Sequence, residues 1–170
     1  TNQTGEEGKI VNRIYIEEAT DIKHELYLGL VFDRPSESIM VVASTEGGMS
    51  VEEISKDKPE SIMRLKIDVA VGMRKFQARE LAFGLGIETE LISKATDTIR
   101  GCYRAFTDLD ATMVEVNPLV ISKQNEILAL DCKMSFDNNA LFRMNNIAEL
   151  RDKSQENPNE VYASDRGMNY

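Results

Sequence analysis

A chain of 170 residues that is 42% hydrophobic and 29% charged can bury one core and is too apolar for disorder. Its formal charge of −9 repels phosphate backbones and provides no basic stripe, which weighs against nucleic acid as a partner. No apolar run approaches the roughly 18 residues that a membrane span needs, and the opening TNQTGEEGKI has no apolar centre of the signal-peptide kind. The expectation is a single intracellular domain over residues 1–170 with no membrane partner.

The predicted elements begin with VNRIYIEEA and ELYLGLVFD, two runs of β-branched and aromatic residues separated by the polar TDIKH, which read as strands. A third run, SIMVVAST, follows the turn-forming RPSE and stops at Gly47-Gly48, completing an antiparallel meander. The period then changes. KFQARELAFGLG reads as a short helix with Gly84 and Gly86 as stop signals. In ETELISKATDTIRGCYRAFTD the residues Leu91, Ala95, Ile99, Cys102 and Phe106 recur every three or four positions, the stripe of one amphipathic helix. VEVNPLVISKQNEILALDCK reads as a hairpin, NNALFRMNNIAELRDKS as a polar loop leading into a short helix, and the last segment is polar. The fold class expected is α+β, mostly antiparallel sheet packed with helices.

Cys102 and Cys132 lie 30 positions apart in apolar segments, without C-x-x-C spacing and with His24 as the one imidazole. That argues against zinc and for reduced core thiols. The hairpin is the informative stretch. A turn centred on Gln124 sets Ser122 opposite Glu126, Asn117 opposite Asp131 and Glu115 opposite Lys133, and opposed residues share a face. The alternate positions Val116, Val120, Leu128 and Leu130 then form the core face. An amide oxygen and a carboxylate side by side suit Mg²⁺, which takes oxygen ligands and keeps waters and phosphates beside one or two protein groups. An Asn that only caps a strand before Pro, and an Asp paired with a nearby Lys, explain the same residues without a metal.

The strings EVNPLV and LALDCKMSFDNNALFR, with IEEATDIKHELYLG and ASTEGG upstream, closely resemble the β subunits of succinyl-CoA synthetase, ATP-grasp ligases, over nearly the whole chain. The resemblance implies the carboxy-proximal portion of an ATP-grasp domain, without the family's amino-terminal lysine and glycine-rich phosphate cover and without its CoA-ligase domain. It implies that Asn117 and Asp131 hold the Mg²⁺ of ATP or ADP, and that Glu17, Thr20 and Glu25, within E-x-x-T-D-x-x-x-E-L-Y, contact the nucleotide. Glu115 is placed by it near the point where a phosphohistidine of the partner α subunit is received, in a heterodimer or heterotetramer. The activity implied is the interconversion of succinate, CoA and ATP with succinyl-CoA, ADP and phosphate, ADP-forming and bacterial cytoplasmic rather than mitochondrial. Malate–CoA ligase, or another acyl-CoA ligase of the group, fits the same residues. A non-catalytic β-rich interaction module is the distant alternative. His24 is expected at the surface or the nucleotide edge, and the Ser44 to Gly48 segment either approaches phosphate or is a plain turn.

Overall fold

In a computed structural model, residues 11 and 14–168 are described. They divide into two compact units, residues 20–141 and a second drawn from residues up to 19 together with those from 142 onward.

The first unit is built on a sheet of six strands, β1 (Ile22–Asp33), β2 (Ser38–Ser44), β3 (Ile62–Ile67), β4 (Ala111–Ser122), β5 (Ile127–Ala129) and β6 (Cys132–Phe136). The order is β3-β2-β1-β4-β5, with β6 also on β4, and every pairing is antiparallel. Three helices accompany it: α1 (Val51–Asp57), α2 (Lys75–Gly84) and α3 (Ile92–Asp108). The α3 stripe falls where the spacing puts it. Leu91, Ala95, Ile99 and Phe106 are buried and Cys102 packs beside them, against Leu26, Leu28 and Leu30 of β1 and Val114 and Val116 of β4. Helix α2 adds Ala78, Leu81 and Ala82 to the same core and stops at Gly86, whose φ of +67° is open to glycine and strained for other residues. The α+β class and the antiparallel sheet are as expected.

Three expectations fail. Residues 14–20 form no strand, and Ile14, Tyr15 and Ile16 are exposed. A β-rich composition expresses fitness for a pleated surface, and β1 has no free edge to offer, since β2 takes one side and β4 the other. The three-strand meander is therefore β1-β2-β3, one element later in the chain. Secondly, strict alternation does not hold through β4. Leu26 pairs with Leu119 and Leu28 with Val116, so Asn117 and Pro118 together oppose Tyr27 alone. This is a β-bulge, at the position where a proline, having no N–H to donate, is tolerated inside a sheet. Beyond it the core residues are Leu119 and Ile121, with Ile127 against them, instead of Leu128 and Leu130; Val120 is buried outside that cluster. Thirdly, Cys132 is exposed and only Cys102 is half-buried, because β6 is an edge strand with β4 as its one neighbour.

The second unit contains α4 (Asn145–Ala148) and α5 (Pro158–Ser164). Helix α5 starts on an Asn157 side chain that accepts from the Asn159 N–H, with Pro158 in the first turn, a start signal already written in the sequence. Arg151 grips Glu156 at 2.7 and 2.6 Å, and its partner holds that carboxyl below the usual range. Among the described residues no helix is long and apolar enough to cross a membrane.

Candidate functional site

One face of the sheet is covered by α2 and α3; the chemistry collects on the other. Residues of β1 with odd numbers point there, alternating with Leu26, Leu28 and Leu30. The row across the strands reads Lys133, Glu115, Gly29, Val42, Arg64, each paired with the next. One step along β1 the bulge sets Asn117 and Pro118 against Tyr27, and a further step brings Glu25. Rising about 3.3 Å per residue, β1 separates Glu25 from Glu115's partner Gly29 by roughly 13 Å.

The bulge explains what Asn117 does locally. Its Oδ1 accepts a hydrogen bond from the Gly48 N–H at 2.8 Å and its Nδ2 donates to the Met49 carbonyl at 2.8 Å. One amide thus closes on two consecutive peptide groups of the turn after β2. The turn lies hard against β1. A Cβ on Gly47 would stand 2.5 Å from the Leu26 nitrogen, and one on Gly48, at φ +74°, 2.6 Å from Oε2 of Glu25. No side chain fits at Gly47 unless the turn lifts. The Ser44 to Gly48 segment is therefore more than a plain reversal: it carries backbone onto the bulge, between Glu25 and Asn117. The paired glycines were visible in the sequence, but their contact with Asn117 spans 69 positions and had no local signal. Immediately after the turn, Ser50 caps α1 in a capping box with Glu53, whose carboxylate accepts from the Ser50 N–H at 3.1 Å. The Ser-x-x-Glu spacing could have announced this helix.

Hairpin register is as the turn at Gln124 requires. The Ser122 N–H donates to Glu126 at 3.0 Å and the Asn117 N–H donates to the Asp131 carbonyl at 3.1 Å; Glu115 pairs with Lys133. Asp131 is exposed, and its charge helps push the Cys132 thiol up after burial does. The pair suits Mg²⁺ in composition. Asp131 supplies the anionic oxygen, and Asn117 Oδ1, having given one lone pair to Gly48, keeps a second. Among the described residues no three His, Cys, Asp or Glu side chains form a metal cage, so such a cation would complete its shell from waters and phosphate oxygens, as Mg²⁺ commonly does.

Of the other expected contacts, Glu25 is exposed beside Gly48 and Thr20 is half-buried where the chain enters β1. The neighbouring Asp21 carbonyl accepts from the Lys123 N–H at 2.8 Å, fixing that entry to the hairpin. Glu17 belongs to the other unit, where it is exposed and lies outside helix and strand. His24 is exposed, beside an ion pair of Lys23 with Glu88 at 2.7 Å; the Lys23 ammonium holds the Glu88 carboxyl below the usual range. Tyr27 was not singled out from the sequence. It is 5% exposed, and burial, then the Glu115 and Glu52 carboxylates, push its phenol up to about 12.

Comparison with known proteins bears on the family and the fold. Over its full length the chain is 57% identical to the probable malate–CoA ligase subunit beta of Mesorhizobium japonicum, of which it covers 43%. It is 46% identical to the ADP-forming succinate–CoA ligase subunit beta of Paramagnetospirillum magneticum and 45% identical to that of Bacillus subtilis, again over all of this chain and 43% and 44% of theirs. The chain thus spans less than half the length of the curated relatives it matches. Among solved structures, ATP citrate lyase from Methanothrix soehngenii, in complex with citrate and coenzyme A, superposes with a TM-score of 0.66 over 88% of this chain and 34% of that one, at 18% identity, a likeness of fold alone. Residues 1–121 match the model of the ATP-grasp domain, and the chain belongs to the ATP-grasp family.

Proposed function

We propose that this chain forms one wall of the Mg²⁺–nucleotide site of an ATP-dependent acyl-CoA ligase, with Asn117 and Asp131 holding the cation and Glu25 and Thr20 contacting the nucleotide. The observation that carries the reading is the alignment, on the face turned away from α2 and α3, of Glu25, the Gly47–Gly48 backbone, the Asn117–Asp131 pair and Glu115. A ligand reaching from Glu25 to Glu115 must extend roughly 13 Å, an elongated molecule with a polar base or sugar at one end and its reacting phosphate at the other. Asn117 orients the turn and offers its remaining lone pair. The turn excludes side-chain bulk, so that backbone can approach phosphate. When bound, Mg²⁺ would neutralise charge on the transferring phosphoryl group. Glu115, facing the same side, is the protein carboxylate at the reacting end, where the partner α subunit's phosphohistidine would be received.

The acid substrate is a small dicarboxylate. The motif resemblance points to succinate; the 57% identity to a probable malate–CoA ligase subunit, against 46% and 45% for two succinate–CoA ligase subunits, favours malate as a second reading. Turnover of the full-length protein with its partner subunit, assayed with CoA, ATP and each acid, separates them. In that assay Asp131→Ala should reduce turnover on the order of 100-fold, the loss of about 3 kcal/mol of charge stabilisation, with thermal stability retained. Near-normal turnover at saturating Mg²⁺ would remove Asp131 from the site.

A further inference from the structure

The site face contains a buried residue that nucleotide and metal binding leave without a task. Glu115, Gly29, Val42 and Arg64 form one row across β4, β1, β2 and β3, and the row has a gap, since Gly29 has no side chain. Directly paired residues hold their Cβ atoms about 4.5 to 5.5 Å apart, so the gap is immediately beside Glu115. Tyr27 lies two residues earlier on the same strand and hence on the same face. Its ring folds over the gap: Oη is 2.7 Å, Cε1 3.1 Å and Cζ 3.2 Å from where a Gly29 Cβ would stand. The phenol hydroxyl therefore occupies the place of the missing side chain, on the side of Glu115, and the charges of Glu115 and of Glu52 of α1 both reach it, although no hydrogen bond joins it to either carboxylate here. Filling of a sheet glycine by a neighbouring aromatic ring is a known packing device. Here the ring arrives hydroxyl-first, and burial keeps that hydroxyl protonated and a donor.

We propose that Tyr27 is a positioning residue for Glu115, its hydroxyl standing within reach of the carboxylate and donating a hydrogen bond to it once Glu115 turns toward the reacting end of the site, and that position 29 is glycine in order to admit it. This rests on the reading of Glu115 as the carboxylate at the place of phosphoryl transfer. It assigns a role to two residues outside the metal and nucleotide contacts proposed above.

The test uses the full-length protein with its partner subunit and three variants, Tyr27→Phe, Gly29→Ala and Glu115→Gln. Tyr27→Phe keeps the ring and should lower kcat roughly tenfold, the effect of one lost hydrogen bond to a charged group, while KM for Mg-ATP stays within about twofold. Gly29→Ala, whose methyl displaces the hydroxyl, should show the same split between kcat and KM. In the Glu115→Gln background Tyr27→Phe should have no further effect on kcat, because residues acting as a unit are non-additive. If Glu115→Gln lowers kcat but Tyr27→Phe lowers only thermal stability, or adds its full effect in that background, Tyr27 is filler and the inference is overturned while the site reading stands. Full turnover by Glu115→Gln overturns the site reading itself.

Discussion

The two faces of the central sheet are written in different languages. On the helix-covered face, Leu26, Leu28, Leu30, Val41, Ala43 and Val114 meet α2 and α3 through non-directional contacts that any apolar residue of similar volume could largely replace. On the opposite face, Gly29 and Gly47 are fixed by close approaches that leave no room for a side chain, and Asn117 by two hydrogen bonds to one turn. They share β-strands, so backbone and register are common to both faces. What differs is how much of each position is determined by pattern and how much by one geometric coincidence.

That contrast accounts for what the sequence made legible. The α3 stripe, strands β1, β2 and β4, the hairpin register and the pairing of Asn117 with Asp131 all follow from period and from turn centre, local quantities spread over many residues. The Val11 to Ala19 run was misread because β-propensity counts residues and not free sheet edges; its Asn12 and Arg13 fall outside the described residues. The core face of β4 was misplaced because one residue, Pro118, shifts the alternation, although a proline inside a two-sided strand was itself the warning. β3 was overlooked despite Met63, Leu65 and Ile67 alternating with Arg64 and Lys66, the half-buried pattern in miniature. The clamp of Asn117 on Gly48 and Met49, and the seat of Tyr27 on Gly29, depend on distances that no single-chain spacing encodes.

If the faces differ as described, substitutions on them should separate stability from binding. The largest stability effect belongs to the core face. Leu28 is fully buried, and Leu28→Ala should destabilise this chain by about 2–5 kcal/mol in chemical denaturation, the transfer and cavity terms together. The fraction that remains folded should retain its Mg-ATP affinity, because the removed atoms lie on the far side of the sheet from Asn117. A selective loss of affinity without a loss of stability would erase the distinction between the faces.

Gly47→Ala should behave in the reverse sense. Its methyl would meet the Leu26 backbone nitrogen at 2.5 Å, and neither backbone can yield cheaply, so the turn must lift. The stability cost should be about 1–3 kcal/mol, typical of overpacking, but Mg-ATP binding should fall further than that cost explains. Lifting the turn breaks at once the hydrogen bond that Asn117 accepts from Gly48 and the one it donates to Met49. Titration calorimetry on the full-length protein, at a temperature where the variant is folded, reads the binding loss directly; unchanged affinity would reduce the turn to a connector.

The smallest effect tests whether the site face is as closed around Tyr27 as its exposure of 5% implies. A tyrosine pushed from 10.0 up to about 12 keeps its proton in the folded chain over a range where the unfolded chain has already lost it. Stability from this group is fully present below pH 10 and is lost as pH rises through 12, since the unfolded state binds fewer protons there. At pH 11 the loss should be about 1 kcal/mol. Tyr103 is also pushed up by burial, so the wild-type curve alone does not isolate Tyr27. The difference between wild type and Tyr27→Phe does: the variant should lose less stability between pH 9 and pH 11, by that same amount. Parallel curves would mean that solvent reaches the Tyr27 hydroxyl, and that Glu115 and Glu52 do not crowd it as their combined charge requires.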